Sequence, residues 1–146
     1  MNANWPRWIL ASTSYIFKTA ADAFPIHMYL EGTKRRTDTR STFIEFRLNG
    51  PRVTEVSSDY YKLEVEINVL FAVTVEDDFH LPQKVIGMLL ETMTDVCVYK
   101  YGDDDTLLGT LVLKRQPVNV VTGNQTETEI VQGLVSGSYA MYLTGA

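Results

Sequence analysis

The sequence holds little of what usually marks dedicated chemistry. It has one cysteine and two histidines in 146 residues. A single thiol, Cys97, excludes an internal disulfide and suits a reducing compartment. The five prolines and nine glycines never gather into a linker, and no repeat or low-complexity stretch is present. The longest strictly apolar run, Val69 to Val73, falls far short of the ~20 residues a membrane-crossing helix requires. Near the start, Arg7 is followed by only Trp8-Ile9-Leu10-Ala11 before serines and threonines intervene, so no secretory signal is expected. Acidic residues outnumber basic ones 18 to 13, for a net charge of −5. That counts against a general nucleic-acid binder, which needs a basic surface to neutralise phosphates. It leaves room for a protein past which DNA slides without sticking.

Motifs are scarce as well. There is no glycine-rich phosphate cradle, no paired-cysteine metal site and no serine elbow. The expectation is therefore a protein that is not an enzyme and carries no cofactor or metal. Cys97 would be a nucleophile only with His27 or His80 beside it in space; a small buried thiol in a strand is the expectation. Asp103, Asp104 and Asp105 are consecutive, whereas calcium loops space their carboxylates so that several converge. They read as a solvated acidic turn. Glu76-Asp77-Asp78 reads likewise, as part of the loop entering a helix.

What is present is patterning. The length suits one domain over residues 1–146, able to bury roughly 70% of its unfolded surface. Asn4 is placed to cap a first helix, with Pro6 in the opening turn. Trp5, Trp8, Ile9, Ser12, Ile16, Ala20 and Phe24 follow three-four spacing to about Ala23. A short strand is expected over 26–31 and an exposed loop over 32–42. Strands over 43–48 and 52–56, joined by Asn49-Gly50-Pro51, read as a hairpin. From Leu63 to Val75 every second residue is apolar, which predicts a long strand over 61–75. Residues 81–94 form a second amphipathic helix. Strands are expected over 96–101, 107–113 and 117–121, then a polar loop over 123–128. A last alternating strand spans 129–143, where Gly133 and Gly137 mark a bulge or a close backbone approach. Tight turns between strands imply antiparallel pairing. The fold class is α+β: a mostly antiparallel sheet, two helices packed on one face, and long projecting strands. Fifteen residues at ~3.3 Å each give a strand of about 50 Å, well beyond the usual length.

Three features suit contact between subunits. Lys34, Arg35, Arg36 and Arg40 form a basic cluster, open to three readings: a solvated loop, a contact with an acidic protein surface, or a contact with a nucleic-acid backbone. The loop has no aromatics on which bases would stack. On the long strand the second face turns from Lys62, Glu64, Glu66 and Asn68 to Leu70 and Ala72, so its far half needs cover from the domain or from a neighbour. Asp103, Asp104 and Asp105 supply a charge opposite to that of the basic loop. Trp5 and Trp8 read as docking the first helix on its own sheet in preference to anchoring a partner.

Several segments resemble one protein family. They are Trp5-Pro6-Arg7-Trp8-Ile9, the run from Phe43 to Pro51, the run from Tyr60 to Leu70, Val98-Tyr99-Lys100-Tyr101-Gly102 continuing into Leu107-Leu108-Gly109, and Val135-Ser136-Gly137-Ser138-Tyr139. Together they look like the tail-terminator, tail-completion and neck proteins of tailed bacteriophages. The resemblance spans most of the chain and consists of strand and turn sequences. It implies a virion subunit, made in the bacterial cytoplasm, that forms a six-membered ring. The ring caps the tail tube, joins it to head-completion or connector proteins and lets the genome through. It implies no catalytic residues. Two alternatives stay open at this point: another connector component, such as a stopper or adaptor, and a small cytoplasmic ligand-binding or thiol-enzyme domain using Cys97.

Overall fold

The computed structural model describes residues 3–31, 42–74, 80–125 and 130–144. Helix α1 (Trp5–Ala23) turns Trp5, Trp8, Ile9, Ser12, Thr13, Phe17 and Ala21 inward. Its buried Thr13 hydroxyl is satisfied by donating to the Ile9 carbonyl at 2.7 Å. The expected Asn4 side-chain cap is absent: Asn4 has helical dihedrals, φ −85° and ψ −9°, whereas a capping side chain needs an extended backbone behind it. Its carbonyl still accepts from Trp8 N at 3.0 Å.

The strands are β1 (Met28–Leu30), β2 (Phe43–Ser57), β3 (Tyr60–Thr74), β4 (Val96–Tyr99), β5 (Leu107–Leu113), β6 (Val118–Gln125) and β7 (Ile130–Thr144), with helix α2 (Leu81–Thr92) between β3 and β4. The sheet runs β1-β2-β3-β7-β5-β4, and β6 also pairs with β7. Every pairing is antiparallel except β1 with β2. The α+β class holds.

The hairpin expected at Asn49-Gly50-Pro51 is not there. Residues on both sides of it pair with β3, making one 15-residue strand with a register shift between Asn49 and Arg52. Gly50 sits at φ +110°, and a Cβ there would lie 2.8 Å from the Glu64 carbonyl oxygen. A turn-forming tripeptide is thus absorbed as a bulge. The chain reverses instead at Ser58-Asp59, where Asp59 takes φ 61°, a conformation aspartate tolerates. The polar loop expected over 123–128 does not start at Gly123, since β6 continues through Gln125 with a shift between Val121 and Gly123; the rest of that stretch lies outside the described residues.

Strands β3 and β7 match without a shift over 15 pairs, Tyr60↔Thr144 to Thr74↔Ile130. Their odd-numbered side chains (Leu63, Val65, Ile67, Val69, Phe71 and Val73 beside Val135, Tyr139, Met141 and Leu143) share one core with residues of both helices. Both helices therefore cover the same face. Trp5 and Trp8 are docked on this core, each 3% exposed, with Trp5 edge-on to Tyr61 at 6.0 Å.

The sheet then curls. β5 keeps only two pairs with β7, at Ala140 and Tyr139, and a Cβ on its Gly109 would meet Met141 Cε at 2.5 Å. β5 therefore passes over β7 and carries β4 to the flank of α1, where Tyr99 N donates to Ser12 Oγ at 3.0 Å. Val96, Val98 and Leu111 complete the core. Gly137 is the close approach expected of it: its missing Cβ leaves room for Met93 Sδ, 2.9 Å from where that atom would be.

Candidate functional site

The acidic turn is built from its own chain. Lys100 O accepts from both Asp103 N and Asp105 N at 3.1 Å, and Lys100 N donates to Thr106 O at 2.9 Å. Each carboxylate has its own task. Asp104 Oδ1 accepts from Thr106 Oγ1 at 2.6 Å and Thr106 N at 3.1 Å. Asp105 Oδ1 accepts from Gly102 N at 3.2 Å. Asp103 faces Arg7, with Nη2 3.2 Å from Oδ2. The Thr106 hydroxyl and then its amide hold the Asp104 carboxyl below the usual carboxylate range. The three side chains point to three partners and do not converge, and among the described residues no cluster of His, Cys, Asp and Glu could hold a metal ion.

The sheet face away from the helices has two zones. Its polar zone holds Glu64 between Lys62 at 3.9 Å and Lys114 at 3.7 Å, and an ion pair along β2, Arg47 Nη2 to Glu45 Oε2 at 2.8 Å, marks the boundary, Glu45 lying level with Leu70. Its apolar zone begins where the sequence places it. Leu70 is half-buried and Ala72 buried, with Ala72 in register between Phe43 and Gln132 and Leu70 between Glu45 and Leu134. Tyr29, level with Glu45, stacks edge-on to Phe43 at 5.6 Å and to His27 at 4.2 Å. Toward the other end, Tyr60 and Tyr142 stack 5.8 Å apart, 37% and 52% exposed.

Two grooves flank α1 on its β1–β2 side. One, about 590 Å³, lies between the first turns of α1 and mid-β2, lined by Pro6, Arg7, Leu10, Leu30, Glu31, Phe46, Leu48 and Gly50. The other, about 580 Å³, lies between α1 and β1, lined by Ala11, Ser14, Tyr15 and Lys18 of the helix and by His27 to Leu30. Beside the first groove, β2 has no partner strand on its outer side from Leu48 to Ser57 among the described residues, since β1 reaches only Phe46. The outer side of β6 likewise has none among the described residues.

No family model and no curated protein matches this sequence. A solved protein structure superposes with a TM-score of 0.55 at 13% identity, over 94% of this chain and 93% of its own. That likeness is one of fold. No described helix is long and apolar enough to cross a membrane.

The sequence-derived contact residues fare unequally. Lys34, Arg35, Arg36 and Arg40 lie outside the described residues, as do Glu76, Asp77 and Asp78. Leu70 and Ala72 share one face, while Asp103, Asp104 and Asp105 sit together in one turn. Cys97 is a correction: it is exposed, because β4 buries Val96 and Val98 and alternation turns the residue between them outward. Its Sγ lies 4.0 Å from Thr110 Oγ1. Sequence reasoning missed the Arg7–Asp103 bridge and the continuous β2 strand. The first carries no local signal, and the second was hidden by the false hairpin.

Proposed function

We propose that this protein is a structural subunit of a tailed-bacteriophage particle, a tail terminator or neck protein that assembles head to tail into a ring of six. The observation that supports the reading most directly is a pair of strand edges on opposite sides of one sheet, β2 beyond Phe46 and β6, that have no partner strand among the described residues. Head-to-tail contacts between different patches close into rings when the rotation permits. The subunit number and the place in the particle come from the resemblance of the strand and turn segments to tail-terminator and neck proteins. On this reading the partners are further copies of the chain, a tail-tube protein below and a head-completion or connector protein above. The net charge of −5 suits a channel through which DNA moves.

The deciding experiment is a reconstruction of the intact particle at the head–tail junction, with subunit mass measured in the same particles. A six-membered ring of this chain at the end of the tail tube is the expected result. A two-fold dimer, or a particle without the chain, refutes the proposal. A ring located between connector components and off the tube end would make the chain a stopper or adaptor.

A further inference from the structure

We infer that neighbouring copies join face to back, a tyrosine platform on the open sheet face of one copy receiving the outer side of the β4–β5 hairpin of the next. The inference rests on the ring reading and names the two surfaces that meet.

The platform lies where β3, β7 and β5 come together. Tyr142 is level with Lys62, and Val112 with Glu64 through Ala140, which puts both on the face turned away from the helices. There Tyr60 and Tyr142 stack with their planes 13° apart, and Tyr60, Tyr142 and Val112 are 37%, 52% and 50% exposed. Rings already held against each other lose little freedom on contact, and tyrosine is enriched where proteins bind one another. Beside them Arg52 and Lys114 line one cleft with Glu64 and Glu66, about 300 Å³ in volume, and Lys62 stands on the other side of Glu64. Arg52, Lys62 and Lys114 thus face two carboxylates, a surplus of positive charge.

The hairpin presents the complement. Gly109 faces inward, toward Met141 Cε, and Val96, Val98 and Leu111 belong to the core. Alternation turns Cys97, Tyr99 and Thr110 to the opposite side, where Tyr99 is 36% and its cross-strand partner Leu107 56% exposed. The hairpin ends in Asp103, Asp104 and Asp105, all exposed, with Arg7 and Lys100 beside them. Three carboxylates against two cations leave a surplus of negative charge.

Met141 and Tyr142 are consecutive and point to opposite faces, so hairpin and platform stand back to back across the end of β7. Complementary patches that look in opposite directions suit head-to-tail repetition. The charges select it over two-fold pairing. Platform on platform would set Arg52, Lys62 and Lys114 against their own copies, and hairpin on hairpin would do the same to the aspartates; like charges across an interface oppose binding. Only platform on hairpin joins opposite surpluses, with apolar side chains at both centres.

The test uses the full chain, whose single cysteine already stands on the hairpin's outer side. Thr54→Cys adds a thiol on the platform, at an exposed position level with Lys62 and Tyr142. A flexible bis-maleimide should link this variant into a ladder on a denaturing gel, ending in the closed ring, while native mass spectrometry follows assembly. The parent, and Thr54→Cys combined with Cys97→Ser, should each give no linked pair. Tyr142→Ala should raise the concentration needed for assembly by about tenfold with melting unchanged. Lys114→Glu should do the same, and Asp103→Lys in the same chain should recover most of the loss. Pairs linked from either single-thiol chain would mean two-fold contacts and overturn the proposal. Assembly indifferent to Tyr142→Ala, or a charge reversal without recovery, overturns it as well. A ring that forms without any 54–97 link overturns it too, while leaving the ring reading intact. Chains that stay monomeric at every concentration and in the particle overturn both.

Discussion

Arg7 and Asp103, 96 positions apart, meet with Nη2 and Oδ2 3.2 Å from each other. Arg7 Nη1 also donates to the Tyr101 carbonyl at 3.1 Å, and a Cβ on Gly102 would lie 3.0 Å from that nitrogen. The acidic turn and the start of α1 are therefore pinned together at the surface. Both partners are about half exposed, so the pair contributes little to folding. A double-mutant cycle on Arg7→Ala and Asp103→Ala should give a coupling of about 0.2–1 kcal/mol that shrinks with added salt. A coupling of several kcal/mol, insensitive to salt, would contradict this.

Two glycines should respond in opposite directions to alanine. At Gly137 the new methyl would meet Met93 Sδ at 2.9 Å and the Tyr139 ring at 3.2 Å, and overpacking of this kind costs about 1–3 kcal/mol. At Gly87, inside α2, a Cβ meets nothing within 4 Å, and alanine should stabilise by about 0.5–1 kcal/mol through helix propensity. Thermal unfolding of the two variants beside the parent is sufficient. Equal melting shifts of one sign would show that the packing around Gly137 is looser than described. For scale, Ile67→Asp, at a fully buried position, should cost about 3–5 kcal/mol by burying an unpaired charge.

These glycines also mark what is legible in a sequence. β3 and β7 are readable because each buries one face, so the period of two survives along their whole length. β2 has equal length but is interrupted by Asn49-Gly50-Pro51, whose local chemistry is that of a turn; only pairing with β3 across the interruption makes it one strand. The curl of β5 over Met141 depends on Gly109 meeting a residue far along the chain, and no local pattern carries that. Cys97 shows the opposite case. Alternation with Val96 and Val98 was available and places the thiol outside, but residue-type preference suggested burial. Of the residues singled out for contact, the shared face of Leu70 and Ala72 is readable from the change of character along the strand, while the bond from Arg7 to Asp103 is not readable at all.

Tyr139 predicts an alkaline limit to stability. The side chain is buried and its hydroxyl donates to Met93 Sδ at 3.7 Å. Burial first, and the Asp95 charge second, push its pKa from 10.0 up to about 12. The neutral phenol is the form the fold accepts, so the raised value means that its contribution is intact below pH 10. It is lost as pH rises from there through about 12. Unfolding free energy should fall across that window, and Tyr139→Phe should remove this part of the fall while keeping the core filled. A parent and a phenylalanine variant with the same alkaline profile would assign the loss to other groups.

The apolar end of the open face makes the last prediction. Leu70 stands in a row with Glu45 and Leu134, away from both helices, and Ala72 continues the apolar zone beside Phe43. If this zone meets a neighbouring subunit, a charge there should harm assembly far more than folding. Leu70 is only half-buried, so Leu70→Lys can lift its ammonium to water along its own stem and should cost about 1 kcal/mol or less in the monomer. In the ring the same ammonium would be desolvated without a partner, and assembly should weaken by about tenfold or more. Melting of the monomer and the mass distribution of assembled species, measured on one preparation, separate the two effects. A variant that melts several kcal/mol lower would place Leu70 within the subunit's own core. One that melts and assembles like the parent would show that this face looks onto solvent in the ring.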